Sequence, residues 1–268
     1  PSSPQGYSCE GYILEGSSKT FGSGAVTHSS ASYSNNTASL TLAGLRANTT
    51  YYLRMATLNW AGTPNYVTLP PAVTALPPPL SSVALAGVWQ SSAALTFPSV
   101  TSDGYVVEAS TYEYFSSVKS SFTADPAAVS LTVSGLDENT VYHFRAGSLY
   151  NGATMYTLAS PDVRSTLARA LTGQQISGVF YSSVSVSWTA LAGSPQKLGA
   201  ESYVLETSTL PAFSTVLYSS STANIAAAGL SIVNLLPNTS YYFRAGTVNW
   251  DGEKNYVQTP CTSTLANF

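Results

Sequence analysis

The stretch Asn234-Leu235-Leu236-Pro237-Asn238-Thr239-Ser240-Tyr241-Tyr242-Phe243-Arg244 decides the fold, because close copies of it occur twice more in the chain. The other copies are Gly44-Leu45-Arg46-Ala47-Asn48-Thr49-Thr50-Tyr51-Tyr52-Leu53-Arg54 and Gly135-Leu136-Asp137-Glu138-Asn139-Thr140-Val141-Tyr142-His143-Phe144-Arg145. Leucine, Asn-Thr, tyrosine and arginine recur in register. An internal repeat of this kind indicates that one structural unit is built several times.

Further blocks recur on either side of this motif. Upstream, the motifs around Glu15, Glu108 and Glu206 align, with spacings of 93 and 98 residues. Downstream come Asn59-Trp60-Ala61-Gly62, Tyr150-Asn151-Gly152 and Asn249-Trp250-Asp251-Gly252. A period near 95 residues is too long for a solenoid unit and matches a whole small domain. Each repeat is therefore expected to be a module.

Short runs of alternating apolar and polar residues fill each repeat, for example Ser92 to Phe97, Val184 to Trp188 and Tyr241 to Ala245. Gly, Pro, Asn and Ser separate these runs, and no helical period appears. About seven short strands per repeat predict an all-β fold in which each module is a β-sandwich.

With these residues the chain resembles the fibronectin type III family, through the Leu-to-Tyr gap of six residues in all three motif copies. The resemblance implies tandem immunoglobulin-like sandwiches. It also implies that Tyr51, Tyr142 and Tyr241 form a corner whose hydroxyl bonds back to the preceding turn. Trp188 stands where the family keeps a core tryptophan.

The alignment predicts three modules, at residues 1–77, 78–168 and 169–268. Matching Ser3-Pro4-Gln5 to Ser194-Pro195-Gln196 places the chain start in the loop after strand B. The first module would then be N-terminally incomplete, with strands C to G only, and the other two complete. Either upstream residues have been lost, or a neighbouring subunit supplies the missing strands.

Composition narrows the classes of partner. Only 9% of the 268 residues are charged, and the formal net charge is -3 without a basic run, which argues against nucleic-acid binding. No stretch is long and apolar enough to span a bilayer. Low charge, abundant hydroxyls and three Asn-x-Ser/Thr sequons, at Asn35, Asn48 and Asn238, favour an extracellular or cell-surface location.

One charged pattern repeats in all modules: Glu15 with Arg54, Glu108 with Arg145, and Glu206 with Arg244. Strands C and F are neighbours in this fold, so we expect each pair to form a cross-strand ion pair on the solvent side. Such pairs fix the register of the strands and protect sheet edges more than they stabilise the fold. Their role is predicted to be structural.

Three aromatic residues, Trp60, Tyr150 and Trp250, fall in the loop between strands F and G, where the resembling family presents binding residues. They are candidate contacts for a surface glycan or a protein partner. The alternative is that each ring covers its own hairpin or the next module. No Arg-Gly-Asp sequence occurs.

No catalytic or metal-binding pattern stands out. His28 and His143 fall in different modules, and no Cys, His, Asp and Glu spacing matches a metal site. Neither a cofactor nor enzymatic activity is predicted, and Cys9 and Cys261 are expected to be unpaired. The favoured function is a structural or adhesive surface component, such as a stalk, sheath, filament or surface-layer part. The alternative is a glycan- or protein-binding accessory array of a larger secreted enzyme or adhesin.

Overall fold

The structure, a computed structural model, describes residues 9–22, 28–157, 163–191 and 199–266. The alignment of residues 3–5 with 194–196 lies outside these ranges. The chain divides into two compact units. The first unit contains residues 1–79, 101–104 and 148–156, and the second contains residues 80–100, 105–147 and 157–268.

The first unit contains one four-stranded antiparallel sheet in its residues 11–73. Its strands are β1 (Gly11–Ser17), β2 (His28–Ser32), β3 (Thr50–Leu58) and β4 (Pro64–Val73). They lie in the order β2-β1-β3-β4. These are the strands expected as C, C′, F and G of the first module.

The segment 38–42 of this module forms no strand, although strand E is among the strands C to G expected for the module. Its sequence Ala38-Ser39-Leu40-Thr41-Leu42 alternates in the same way as Ser130-Leu131-Thr132-Val133 of the next module, which does form a strand. In the later modules strand E pairs with strand B, and the described part of the first module offers no such partner. Because a strand needs a neighbour for its backbone hydrogen bonds, alternation alone does not fold this segment.

The next eight strands belong to the second module: β5 (Ala84–Val88), β6 (Ser92–Thr96), β7 (Tyr105–Ser110), β8 (Lys119–Thr123), β9 (Ser130–Ser134), β10 (Val141–Tyr150), β11 (Ala153–Tyr156) and β12 (Val163–Ser165). One sheet has the order β5-β6-β9. The other has the order β11-β10-β7-β8, with β12 also paired to β10.

The third module repeats this arrangement with β13 (Gln175–Val179), β14 (Val184–Ser187), β15 (Ser202–Ser208), β16 (Tyr218–Thr222), β17 (Gly229–Ile232), β18 (Ser240–Val248) and β19 (Lys254–Ser263). Its sheets have the orders β13-β14-β17 and β16-β15-β18-β19. All pairings given for this module are antiparallel.

The two sheets of each of these modules pack face to face around a separate core. In the second module Leu95 on β6 and Val133 on β9 meet Val107 on β7 and Phe144 on β10, all fully buried. The equivalent cluster of the third module includes Val184, Val186, Trp188, Tyr203, Leu205, Ile232, Tyr241 and Phe243. Alternate residues of each strand point inward, as the period of two requires. The prediction of an all-β chain of tandem sandwich modules is confirmed.

Candidate functional site

Each predicted Glu–Arg pair is brought together on neighbouring strands C and F. Glu15 lies directly opposite Arg54, and Nε of Arg54 is 2.7 Å from the glutamate Oε2. Glu206 lies opposite Arg244 in the same way, with Nε and Nη2 of the arginine 2.9 and 2.6 Å from Oε2. In the second module Nε of Arg145 is 2.6 Å from Oε2 of Glu108.

These pairs lie on the outer face of the sheet but are only partly exposed, with arginine side chains 24–25% exposed and glutamate side chains 6–11% exposed. Aromatic rings lie over the arginines. In the first module the Cζ of Arg54 is 4.2 Å from the ring centre of Phe21 and 3.8 Å from that of Tyr66. Glu15 is left only 8% exposed. A guanidinium between two rings gains cation–π attraction on both faces and is shielded from water.

Aromatic rings also lie over the arginines of the later modules. Arg145 lies 4.1 Å from the ring centre of Phe115, and Arg244 lies 4.6 Å from Phe213 and 3.9 Å from Tyr256. Phe115 and Phe213 have positive φ angles of 52° and 50°, which is unfavourable for a bulky side chain. The stacking contacts offset this strain.

Charge and burial shift the acid–base properties of the third stack. Burial alone would raise the pKa of Glu206, but hydrogen bonds from Tyr256, Arg244 and Lys254 outweigh it and lower that pKa. Burial raises the pKa of Tyr256, and its 2.6 Å hydrogen bond to Oε1 of Glu206 raises it further. The pKa of Tyr66 in the first stack is raised by the same two causes, with Glu15 as the acceptor. The carboxylate of Glu206 is therefore held in its ionised form. We call each glutamate–arginine pair with its covering rings an ionic lock.

Tyr51, Tyr142 and Tyr241 are each the second residue of strand F. Their hydroxyls accept hydrogen bonds from the backbone N–H groups of Arg46, Asp137 and Leu236, respectively, each at 3.1 Å. All three tyrosines are at most 3% exposed. This geometry ties the turn to strand F in every module.

The candidate contact residues Trp60, Tyr150 and Trp250 differ in exposure. Trp60 is 79% exposed and Trp250 is 47% exposed, and both lie in the F–G loop. Tyr150 ends strand β10 and is only 4% exposed. The prediction that Tyr150 presents its ring to a ligand is therefore wrong, because the F–G hairpin of this module turns one residue later.

Within the second unit, loops of the third module bind the end of the second module. Nδ2 of Asn249 donates to the carbonyls of Ser165 and Thr166, at 3.2 and 3.1 Å. Nδ2 of Asn139 donates to Oε1 of Glu201 at 3.0 Å. Because backbone carbonyls and buried side chains take part, this junction is specific and not a loose tether.

Additional contacts reinforce the same junction. The carboxylate of Asp251 accepts a hydrogen bond from the backbone N–H of Ser165 at 2.6 Å. Nδ2 of Asn255 donates to the carbonyl of Ala168 at 2.8 Å, and Arg169 forms an ion pair with Glu138. The linker between the two modules is thus held on both sides.

Within the first unit, the equivalent turn around Asn48 contacts residues of segments 101–104 and 148–156. Nδ2 of Asn48 donates to the carbonyl of Asn151 at 3.2 Å, and Nδ2 of Asn151 donates back to the carbonyl of Asn48 at 2.9 Å. Arg46 pairs with Asp103 at 2.7 Å. The N–H of Asn151, 2.6 Å from Asp103, and Arg46 together lower the pKa of Asp103 against the effect of burial.

One apolar groove of about 380 Å³ lies on the inner face of the first sheet. Tyr12, Leu14, Leu40, Met55 and Leu69 line it, and Met55 is 38% exposed. The equivalent face of the later modules is covered by their second sheet. The groove has the character of an uncovered core and lacks the converging polar groups of a ligand site.

The described residues contain no group of three or more His, Cys, Asp and Glu side chains that could hold a metal ion. In those same parts of the chain, no helix has the length and apolar character needed to cross a membrane. Cys9 is buried and Cys261 is exposed, and both are free thiols.

Two solved structures are similar to this chain. A two-domain fibronectin type III segment of chicken tenascin is 16% identical, with a TM-score of 0.39 over 69% of this chain and 99% of that one. The FN1–FN3 domains of chicken CNTN1 are 16% identical, with a TM-score of 0.31 over 96% of this chain and 91% of that one. Both of these solved structures are tandem fibronectin type III segments. No protein-family model matches the sequence, and neither does any curated protein.

Sequence reasoning missed the rings that cover the arginines. A signal was present, since Phe21, Phe115 and Phe213 follow their glutamates by six, seven and seven residues. The tyrosines Tyr66, Tyr156 and Tyr256 also recur in register. The junction contacts left no comparable signal, because most of them join a side chain to a backbone group.

Proposed function

We propose that this chain is a non-enzymatic structural or adhesive repeat protein of the cell surface or extracellular space, part of a stalk, sheath, filament or surface layer. The observation that carries the proposal is the repeated, hydrogen-bonded junction. A protein that sets reach and spacing needs fixed connections between modules, whereas a flexible string of modules needs none.

The ionic locks support the same function. Glu15, Glu108 and Glu206 are neutralised by arginines and enclosed by rings, so the most regular charged groups of the chain stabilise modules. Of the two histidines, His28 contacts the ring of Tyr51 edge-on, at 5.6 Å between ring centres. A module of this class is typical of extracellular proteins, which agrees with the low charge and the sequons.

Immunogold electron microscopy of intact source cells tests the proposal, with an antibody raised against the chain. The expected result is labelling of surface structures before permeabilisation, while an antibody against a cytoplasmic protein labels only permeabilised cells. Labelling that appears only after permeabilisation would refute a surface function.

A second candidate function, glycan or protein binding by an accessory array, is favoured by one observation. Trp60 is 79% exposed on a loop, where a flat ring can stack on a sugar. Asn59 fixes this loop, since its Oδ1 accepts hydrogen bonds from the N–H groups of Ala61 and Thr63 at 3.0 and 2.8 Å.

Retention on immobilised cell-surface glycans separates the two candidates. Trp60→Ala and Trp250→Ala should abolish retention if the loops bind glycan. Trp89→Ala is the matched control, because Trp89 is 50% exposed and lies outside the F–G loops. Equal retention of all three variants and the native chain would remove the accessory-array function.

A further inference from the structure

The junction in the second unit defines two complementary surfaces. We name the surface at the end of a module, formed in the second module by Asn139, Ser165 and Thr166, the tail. The surface that binds it, formed in the third module by Glu201 and Asn249, is the head. Three side-chain hydrogen bonds of 3.0 to 3.2 Å join this head to this tail.

The third module has a tail of the same construction. The N–H of Asn238 donates to the carbonyl of Leu265 at 3.0 Å, as that of Asn139 donates to Leu167 at 3.1 Å. The φ angles of these two asparagines are 49° and 47°. Thr264 donates its hydroxyl to the carbonyl of Leu236 at 2.6 Å, the same distance as the equivalent bond in the second module.

This second tail is exposed. Leu236 and Leu265 are 64% and 54% exposed, and Asn238 is exposed as well. In the second module the equivalent Asn139 is fully buried. The third module therefore presents, in the folded conformation, a surface that the chain covers at its other junction.

The first module has a matching head. The N–H of Glu10 donates to the carbonyl of Leu58 at 2.8 Å, as that of Glu201 donates to Val248 at 2.8 Å. Glu10 thus stands at the position of the glutamate that receives the tail asparagine. Exposed Trp60 lies beside it on the F–G loop and adds apolar area to this head.

Asn59 stands at the position of Asn249. In Asn249, Oδ1 accepts hydrogen bonds from the N–H groups of Asp251 and Glu253 at 3.1 and 2.8 Å, so its amide group points away from the loop toward the preceding tail. The corresponding bonds of Asn59 to Ala61 and Thr63 fix its amide group in the same way. The described residues give this amide no acceptor.

From this match we infer that the head of one copy of the chain binds the tail of the third module of a second copy. Asn238 donates to Glu10, and Asn59 donates to the carbonyls of Ser263 and Thr264, while Trp60 packs against Leu236 and Leu265. This inference rests on the proposed structural function and names its partner, which is the chain itself. A contact between two different surfaces leaves a free head and a free tail, so it propagates.

The contact lacks two interactions of the internal junction, because Ala61 replaces Asp251 and Pro237 stands at the position of Glu138, which pairs with Arg169. The internal junction is also favoured by the covalent linker, which raises the effective concentration of its two surfaces. The contact between two copies has no such linker. The association is therefore of the weak, transient class, and we expect it over protein concentrations from about 10 µM to about 1 mM.

Sedimentation equilibrium of the chain, expressed in a bacterial host, tests the inference with three variants. Asn59→Asp keeps the acceptor that holds the loop and removes the donor of the head. Asn238→Asp tolerates the positive φ angle, removes the donor of the tail and places a negative charge against Glu10. Asn36→Asp, at an exposed loop position outside both surfaces, is the matched control.

The average mass of the native chain and of Asn36→Asp should rise with concentration above the monomer mass of 28.1 kDa. Asn59→Asp and Asn238→Asp should each associate at least about tenfold more weakly. An equimolar mixture of these two should form dimers and nothing larger, because each variant retains the surface that the other has lost.

Monomers at every concentration of the native chain would overturn the inference. Association of both variants at native strength would also overturn it, and would point to the uncovered face of the first sheet as the contact. Surface labelling of cells is independent of these outcomes, so a monomeric chain at the cell surface would refute only the inference, and a self-associating chain inside cells would refute only the proposed function.

Discussion

The sheet of the first unit and the larger sheet of the third module have the same strand arrangement but differ in what covers their inner faces. In both, strand C pairs with strand F so that a glutamate faces an arginine, and aromatic rings cover that arginine. On the outer face the two sheets are therefore equivalent. They differ on the inner face.

In the third module Tyr203, Leu205 and Phe243 on the inner face are fully buried. In the first sheet the equivalent Tyr12 and Leu14 are half-buried, and Met55 is 38% exposed. Strand pairing and the ionic lock thus form in the described part of the first unit without a second sheet, because they depend on contacts within one sheet. Burial of the inner face, and the formation of strand E, depend on the partner sheet.

Hydrogen exchange should show the largest difference between the two regions. The amides of residues 38–42 should exchange roughly a thousandfold faster than those of β17, equivalent to about 4 kcal/mol in opening free energy, because only β17 has a partner strand. Mass spectrometry of peptides from both segments measures this. Equal protection would mean that a partner strand covers residues 38–42 in solution.

A pair of core substitutions should show the next largest difference. Leu205→Ala should lower the opening free energy of β15 by about 3 kcal/mol, because it leaves a cavity in a closed core. Leu14→Ala should lower that of β1 by less than about 1 kcal/mol, since solvent already reaches this face. Hydrogen exchange of the two strands gives both values. Similar losses would contradict the uncovered state of the first sheet.

Removing the carboxylate of the third ionic lock should have an intermediate effect. Glu206→Gln should destabilise the third module by about 2 kcal/mol at neutral pH, because Arg244 is left partly buried without its counter-ion. Thermal unfolding monitored by near-UV circular dichroism measures the loss. Arg46→Ala is the control, because the Arg46–Asp103 pair is exposed and should contribute less than about 1 kcal/mol.

Glu206→Gln should also change how the stability of the third module depends on pH. The pKa of Glu206 is lower in the folded module than its ordinary value of 4.5, so the stabilisation by its ionised form is present above pH 4.5 and is lost as the pH falls through the lowered pKa. The native chain should lose this part of its stability in acid, and Glu206→Gln should not. An equal loss of stability with falling pH in the native chain and in Glu206→Gln would contradict the stabilising role of this ionic lock.

The smallest expected effect is one that the two regions share. Tyr241→Phe and Tyr51→Phe should each destabilise their modules by about 1 kcal/mol, because each removes the buried hydroxyl that accepts a 3.1 Å hydrogen bond from a backbone N–H. Local hydrogen exchange at the two corners measures the losses. A loss at Tyr241 without one at Tyr51 would show that the corner requires the second sheet.

Much of the fold was predictable from sequence because the repeat aligned three copies of every local feature. The spacing of Leu235 and Tyr241 predicts the corner region, and that of Glu206 and Arg244 predicts two facing strands. These features depend on register within one sheet, which a period of two reveals.

The remaining features depend on neighbours that are distant in sequence. The alternation in segment 38–42 is typical of a strand, but the segment forms a strand only if a neighbouring strand pairs with it. Tyr150 aligns with two loop tryptophans, but the point at which its hairpin turns decides that it is buried. Phe213 covers Arg244 from a backbone position with a positive φ angle, which no residue pattern predicts for a phenylalanine.

Residual dipolar couplings test most directly whether fixed junctions make the array a spacer, as proposed. If the contacts of Asn249 hold in solution, the second and third modules should share one alignment tensor, and Asn249→Asp should give each module its own. Separate tensors in the native chain would contradict the claim and leave the modules as a flexible string.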